Sequence, residues 1–244
     1  MKKFVLTLVI LKLAILSIFL VLFVPACRTI ESSQIEVAPA VTPSPQIEDN
    51  IDRPTSEPYT GDLSIFEDAE RDKNLQINRV MDILKITAGK TVADIGAGSG
   101  WFTVRAAKRT GEKGHVYAVE INQEYIDHIN ERARKENLPN ITTILGKPDD
   151  PLLSKGSVDA VLILKTYHEI AEPIRLMKNL RNGLARDALV GIIDRNGNGG
   201  DHGLNKETVI DEARLAGFML KEQYDFVKPD GMDYFLVFAI QGGK

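Results

Sequence analysis

The 244 residues carry a formal net charge of −4, and 26% of them are charged, the balance of an ordinary globular chain. Lys and Arg are scattered rather than clustered, so no nucleic-acid partner is expected. The single cysteine, Cys27, excludes an intramolecular disulfide, so the folded part is held by its core alone.

The chain opens on the basic residues Lys2 and Lys3, and 4–24 is apolar apart from Thr7, Lys12 and Ser17. Its densest part, 13–24, has the length and flanks of a secretory signal core and runs into Val24-Pro25-Ala26-Cys27. That ending resembles a bacterial lipoprotein signal, in which the cysteine is acylated and becomes the mature N-terminus. The alternative is an uncleaved membrane anchor, since about 20 apolar residues span a bilayer. Both readings of 1–27 place the rest at the cell envelope, outside the cytoplasm, because Lys2 and Lys3 stay inside. Residues 28–61 mix Pro39, Pro43, Pro45, Pro54 and Pro58 with polar residues and read as an extended, disordered tether too polar to form a core.

From 62 to 244 helical and strand patterns alternate. Helix is expected in the second half of 65–84, where Val80, Ile83 and Leu84 share a face. The run 91–95 reads as a strand buried on both faces. It breaks into Gly96, Gly98 and Gly100, then resumes as a helix over 102–109. Strands follow at 115–120, 141–145, 158–164 and 188–194, with helices at 125–135, 174–184 and 206–216. Pro173 suits the start of the second of these, while Asn205 and Gly217 suit the ends of the third. The pieces 218–227 and 234–240, joined by Lys228-Pro229-Asp230-Gly231, make a terminal hairpin. The whole implies an α/β, Rossmann-like, mostly parallel sheet with helices on both faces and an antiparallel hairpin at the C-terminus.

A strand, a glycine loop and a helix N-terminus together make a site for a nucleotide-like ligand, because the backbone can approach closely and unpaired N–H groups point at it. A dinucleotide fingerprint needs a third glycine where Trp101 stands, which disfavours a nicotinamide-dependent oxidoreductase. A P-loop needs Gly-Lys-Ser/Thr, and the loop has none. Val92-Ala93-Asp94-Ile95-Gly96-Ala97-Gly98-Ser99-Gly100 resembles the first motif of the class I S-adenosylmethionine-dependent methyltransferases. Val116-Tyr117-Ala118-Val119-Glu120 resembles their second-strand motif, and Ser157-Val158-Asp159-Ala160-Val161-Leu162 their fourth. The terminal hairpin fits their seven-stranded sheet.

This resemblance implies S-adenosylmethionine as the cofactor and a methyl acceptor, expected to be a small molecule. It implies that the backbone at Gly96, Ala97, Gly98 and Gly100 lies against the amino acid and ribose, and that Asp94 attracts the ammonium group. Glu120 would hold the ribose hydroxyls and Ile121 would cover the adenine. Asp149 or Asp150 would meet the adenine amino group, and Lys165 would lie on the cofactor side. Asp159, at the far end of its strand, is structural. In Lys165-Thr166-Tyr167-His168-Glu169, at the C-terminal edge of the sheet, His168 is the candidate base or acceptor-positioning group with Tyr167 beside it; alternatively His168 caps the next helix or bonds backbone. Arg71, Gln76 and His202 are substrate-side candidates, the first two in a polar stretch that resembles a segment folding over the cofactor. The loop around His202 contains Gly197, Gly199 and Gly200 and has the mobility of a lid. No metal-ligand set is assigned. A non-catalytic binding protein of the same fold is the rival reading, because S-adenosylmethionine is made in the cytosol.

Overall fold

The apolar run before the glycine loop folds as β1 (Thr91–Ile95) and lies third in a seven-stranded sheet. The structure is a computed structural model that describes residue 51 and residues 53–242. The expected signal or anchor at 1–27, the membrane attachment through Cys27 and most of the expected tether lie outside those residues. Among the described residues no helix is long and apolar enough to cross a membrane.

The other strands are β2 (His115–Glu120), β3 (Ile141–Leu145), β4 (Val158–Leu164), β5 (Leu184–Arg195), β6 (Phe218–Tyr224) and β7 (Asp233–Ile240). Their order is β3-β2-β1-β4-β5-β7-β6. Every pairing from β3 to β5 is parallel, and β7 runs antiparallel to both its neighbours. The expected sheet and terminal hairpin are therefore present. Strand β5 starts four residues before the expected 188, with a register shift against β4 near Val158.

Alternation along the strands sorts side chains to two cores, as a sheet covered on both faces requires. In β4, Val161 and Ile163 face one cluster, while Ala160, Leu162 and Leu164 face the other. The first face is covered by α5 (Pro173–Gly183) and α6 (Lys206–Leu215), with Ile174, Met177, Leu180 and Val209 buried. The second is covered by α2 (Ile77–Ile83) and α3 (Trp101–Thr110), reached through a 3-10 turn at Leu63–Phe66 and the short α1 (Arg71–Asn74). The end of α2 comes so close to β5 that a Cβ on Gly191 would lie 2.9 Å from both Leu84 and Phe235. The helix α4 (Gln123–Lys135) follows β2, capped by Asn122, whose side chain accepts from the Glu124 amide.

The sheet order reverses between β1 and β4, which both leave their last residues at one edge. Ile95 sits beside Val119 and Ile163 in register. The loops leaving β1, β2, β4 and β5 therefore converge on a crevice outside the strand C-termini, where open α/β sheets bind ligands.

Candidate functional site

A cavity of about 650 Å³ occupies that crevice. Asp94, the fourth residue of β1, is 2% exposed and accepts a 2.6 Å hydrogen bond from the Thr103 hydroxyl. Burial pushes its carboxyl up to about 7, with the Glu120 charge adding to the rise and the Thr103 bond and Arg71 opposing it. Gly96, Gly98 and Gly100 all have positive φ. Gly96 needs glycine for a second reason, since a Cβ there would run into the Thr166 side chain. The Glu120 carboxylate, at the end of β2, is tied on both oxygens. One accepts from the Gly98 amide at 3.0 Å, the other from the Ile121 amide at 2.7 Å and the Asn122 amide at 3.3 Å. It is thereby aimed into the cavity beside Ile121, whose side chain stands 47% exposed.

The end of the cavity beneath β4 and β5 has a different chemistry. Beyond β4, Lys165 takes a positive φ of 58° and the chain enters a 3-10 turn, Tyr167–Glu169. His168 is 4% exposed, and its Nδ1 lies 2.9 and 3.0 Å from the two oxygens of Asp194, a fully buried carboxylate on β5. The same carboxylate accepts from the His168 amide at 3.0 Å. A carboxylate on Nδ1 fixes the tautomer and leaves Nε2 to face outward. Nε2 lies 3.8 Å from Glu169, and the His202 ring stands edge-on with its centroid 5.9 Å away. Burial raises the Glu169 carboxyl to about 7, against the lowering effect of His168 and of the Tyr59 amide beside it.

A wall of this end comes from residues 53–60, part of the stretch that composition assigns to the tether. Arg53 forms a buried ion pair with Glu212 of α6 at 2.7 Å. The Ser56 amide donates to the His168 carbonyl, its hydroxyl donates to the Gly199 carbonyl, and the same oxygen accepts from the His202 amide. Tyr59 packs edge-on against Phe66, and its carbonyl accepts from the Tyr125 hydroxyl. Nothing in the proline-rich composition of this segment shows that it docks; the usable signal was Arg53, an isolated cation whose partner is 159 residues away.

Most of the expected site residues meet in the cavity, namely Asp94, Gly96, Ala97, Gly98, Glu120, Ile121, Lys165, His168, His202 and Arg71. Several differ in role. Arg71 lies at the Asp94 end rather than the acceptor end, stacked 4.4 Å from the Trp101 ring and donating to the Phe66 carbonyl. Lys165 lines the cavity, but its ammonium pairs with Asp233 of β7 at 2.5 Å. Five residues fall outside the cavity lining, among them Asp150, whose carboxylate accepts from the Leu152 amide at 2.9 Å. Tyr167 is fully buried in the core beside Glu212, because the 3-10 turn cannot aim it into the cavity together with His168. Gln76 takes a left-handed backbone and donates to the Phe226 carbonyl. Gly100 precedes α3 and packs towards Ile129. Asp149 faces Arg175 of α5 at 3.7 Å, while its neighbours Lys147 and Pro148 line the cavity. Asp159 is structural as expected, holding Lys90 and the Thr91 amide. Glu169 and Asp194 join the site without having been expected there; for Asp194 the available signal was an acidic residue closing an apolar strand at the binding edge.

The residues fit a ligand with an amino-acid end and a ribose. A buried carboxylate faces the cavity near a guanidinium, glycines expose backbone, and a strand-end carboxylate stands beside an exposed apolar residue.

Residues 92–187 match the family model described as a methyltransferase domain. A protein-L-isoaspartate O-methyltransferase of Methanococcoides burtonii is 32% identical over 100 residues, which are 40% of this chain and 49% of that one. A 23S rRNA (uracil(1939)-C(5))-methyltransferase of Alcanivorax borkumensis is 40% identical over 73 residues, 28% of this chain and 16% of that one. The chain thus spans half the length or less of these curated relatives. A crystal structure of an S-adenosylmethionine-dependent methyltransferase from Aquifex aeolicus superposes with a TM-score of 0.67 at 23% identity, covering 74% of this chain and 100% of that one. The chain therefore has the fold of the S-adenosylmethionine-dependent methyltransferases, and its segment 92–187 matches a methyltransferase domain.

Proposed function

We propose that the protein is an S-adenosylmethionine-dependent methyltransferase acting on a small acceptor. The observation that carries this is the joining, in one cavity, of the Asp94–glycine loop–Glu120 cradle to a second polar end made by His168, Glu169 and His202. When bound, the cofactor supplies an electrophilic methyl group on a sulfonium. The chain's own residues supply binding and alignment, which is most of what a direct displacement requires. Glu120 accepts from the ribose hydroxyls, Ile121 covers an adenine face, and Arg71 and Asp94 bind the carboxylate and ammonium of the amino-acid end. His168, locked by Asp194, turns Nε2 to the acceptor and positions it, with His202 across from it. Residues 55–59 add a wall to the acceptor end, which supports a small molecule over the protein and RNA acceptors named for the relatives.

The apolar segment 4–24 and Cys27 support a domain tethered at the cell envelope. There the supply of a cytosolic cofactor becomes the argument for the rival, a binding protein without turnover. Calorimetric titration of the full chain with S-adenosylmethionine tests the cofactor. Incubation with methyl-labelled cofactor and fractionated metabolite extracts then separates the two readings. Saturable binding with label transfer is the expected result; absence of binding overturns the assignment, and binding without transfer from any fraction favours the rival.

A further inference from the structure

The Tyr167–Glu169 turn and the loop after β5 bring two imidazoles and a carboxylate together: His168, Glu169 and His202 each offer a ligand atom, and these atoms all lie within 4.8 Å of one another. We infer that these three side chains form a binding site for a divalent transition-metal ion at the acceptor end of the cavity. Two nitrogens and one carboxylate oxygen are the donor set that suits zinc or ferrous iron. Metal–ligand bonds of about 2.0–2.2 Å place neighbouring ligand atoms about 3–3.5 Å apart, so the observed 3.8 Å between His168 Nε2 and Glu169 needs only a small contraction. His202 can supply the rest of the movement through its exposed side chain, on a loop whose backbone is held by Ser56 and by the bridge between Asn198 and Leu204.

The surroundings have what a metal ligand requires of its neighbours. Metal-bound histidines usually give their other ring nitrogen to a carboxylate, and His168 does so to Asp194, which is 0% exposed and also accepts from the Arg195 amide at 2.8 Å. Three protein ligands leave coordination positions open, and here they face the cavity, as in sites that bind a substrate atom. Metal binding stands on this geometry alone. Its role, to bind the acceptor's oxygen or nitrogen and ease loss of that atom's proton to solvent, rests on the methyltransferase reading above.

The full-length chain, stripped with chelator, is titrated with Co2+ alone and its visible d–d bands are followed; the readout needs neither cofactor nor acceptor. One equivalent is expected to bind with bands of nitrogen and oxygen coordination. His202→Ala, an exposed loop change that leaves the core intact, and Glu169→Gln are each expected to weaken binding at least tenfold. Asp194→Asn is expected to weaken it 10- to 100-fold. Azide is expected to shift the bands, reporting an open position. Absence of binding, or binding unchanged in both His202→Ala and Glu169→Gln, overturns the site; bands unmoved by azide overturn its open, acceptor-facing geometry. S-adenosylmethionine affinity measured on the same metal-free protein judges the methyltransferase reading separately.

Discussion

Replacing Glu120 with alanine removes three hydrogen bonds from backbone amides as well as the acceptor assigned to the ribose. The two effects separate by measurement. Gly98 and Ile121 line the cavity, so water replaces much of what their amides lose, and the stability cost is about 1–2 kcal/mol. Two ribose hydroxyls lose a charged acceptor that is already immobilised, 8% exposed and in its binding position. Hydrogen bonds to charged groups contribute about 1.5–3 kcal/mol, which corresponds to a cofactor dissociation constant ~10- to 150-fold higher. The Glu120→Gln variant keeps one acceptor oxygen and falls between the two.

The assay is calorimetric titration of wild type and both variants with S-adenosylmethionine, with adenosine and with methionine, alongside urea unfolding. Adenosine affinity is expected to drop with that of the whole cofactor, while methionine affinity holds. A Glu120→Ala protein that unfolds cooperatively and binds cofactor with wild-type affinity refutes the ribose assignment. An equal loss for methionine and adenosine shows collapse of the loop rather than loss of a ribose contact, and it refutes the argument as well.

Gly96→Ala places a Cβ in the Thr166 side chain at φ +70° and should cost about 2–4 kcal/mol. Adding Thr166→Ala removes the two nearest atoms but leaves Cβ 2.9 Å away and the backbone strained, so it should recover only part of the loss, and urea midpoints of wild type and the two variants check both parts. Arg53→Met leaves Glu212 buried beside Tyr167 without its cation. Breaking such a pair costs about 3–5 kcal/mol where the charge stays buried, so residues 53–60 should undock and become cleavable by limited proteolysis; unchanged protection contradicts their role as a wall. Asp94 titrates at about 7 in the folded chain against 3.8 when free. Its contribution to stability is therefore full below pH 4 and falls as pH rises from 4 to 7, by up to ~1.4 kcal/mol per pH unit. Asp94→Asn should flatten that slope in urea unfolding across this range. For the same reason a cationic ligand should bind with release of a proton below pH 7, visible as buffer-dependent heat in wild type and absent in the variant.

The middle of the sheet was legible because β1, β4 and β7 are buried along most of their length, which writes them as apolar runs whose ends can be seen. The bounds of β2, β3 and β4 fall on the expected residues. The cofactor cradle was legible for a related reason: Asp94 and Glu120 are carboxylates at the ends of such runs, and strand order alone brings them to one edge. The acceptor end was not, and Tyr167 shows why. Residues in a 3-10 turn project about 120° apart, so Tyr167 and His168 cannot both face the cavity, and nothing local decides which does. The choice is made by Asp194, 26 residues on, whose carboxylate binds both the amide and Nδ1 of His168. Once that bond forms, Tyr167 must enter the core, where α6 and Arg53 meet it at Glu212. A second long-range bond, from the His202 amide to the Ser56 hydroxyl, holds His202 across from His168. The orientation of His168 is thus a property of the β4–β5 pairing, and the chain between them carries only the residues to be oriented.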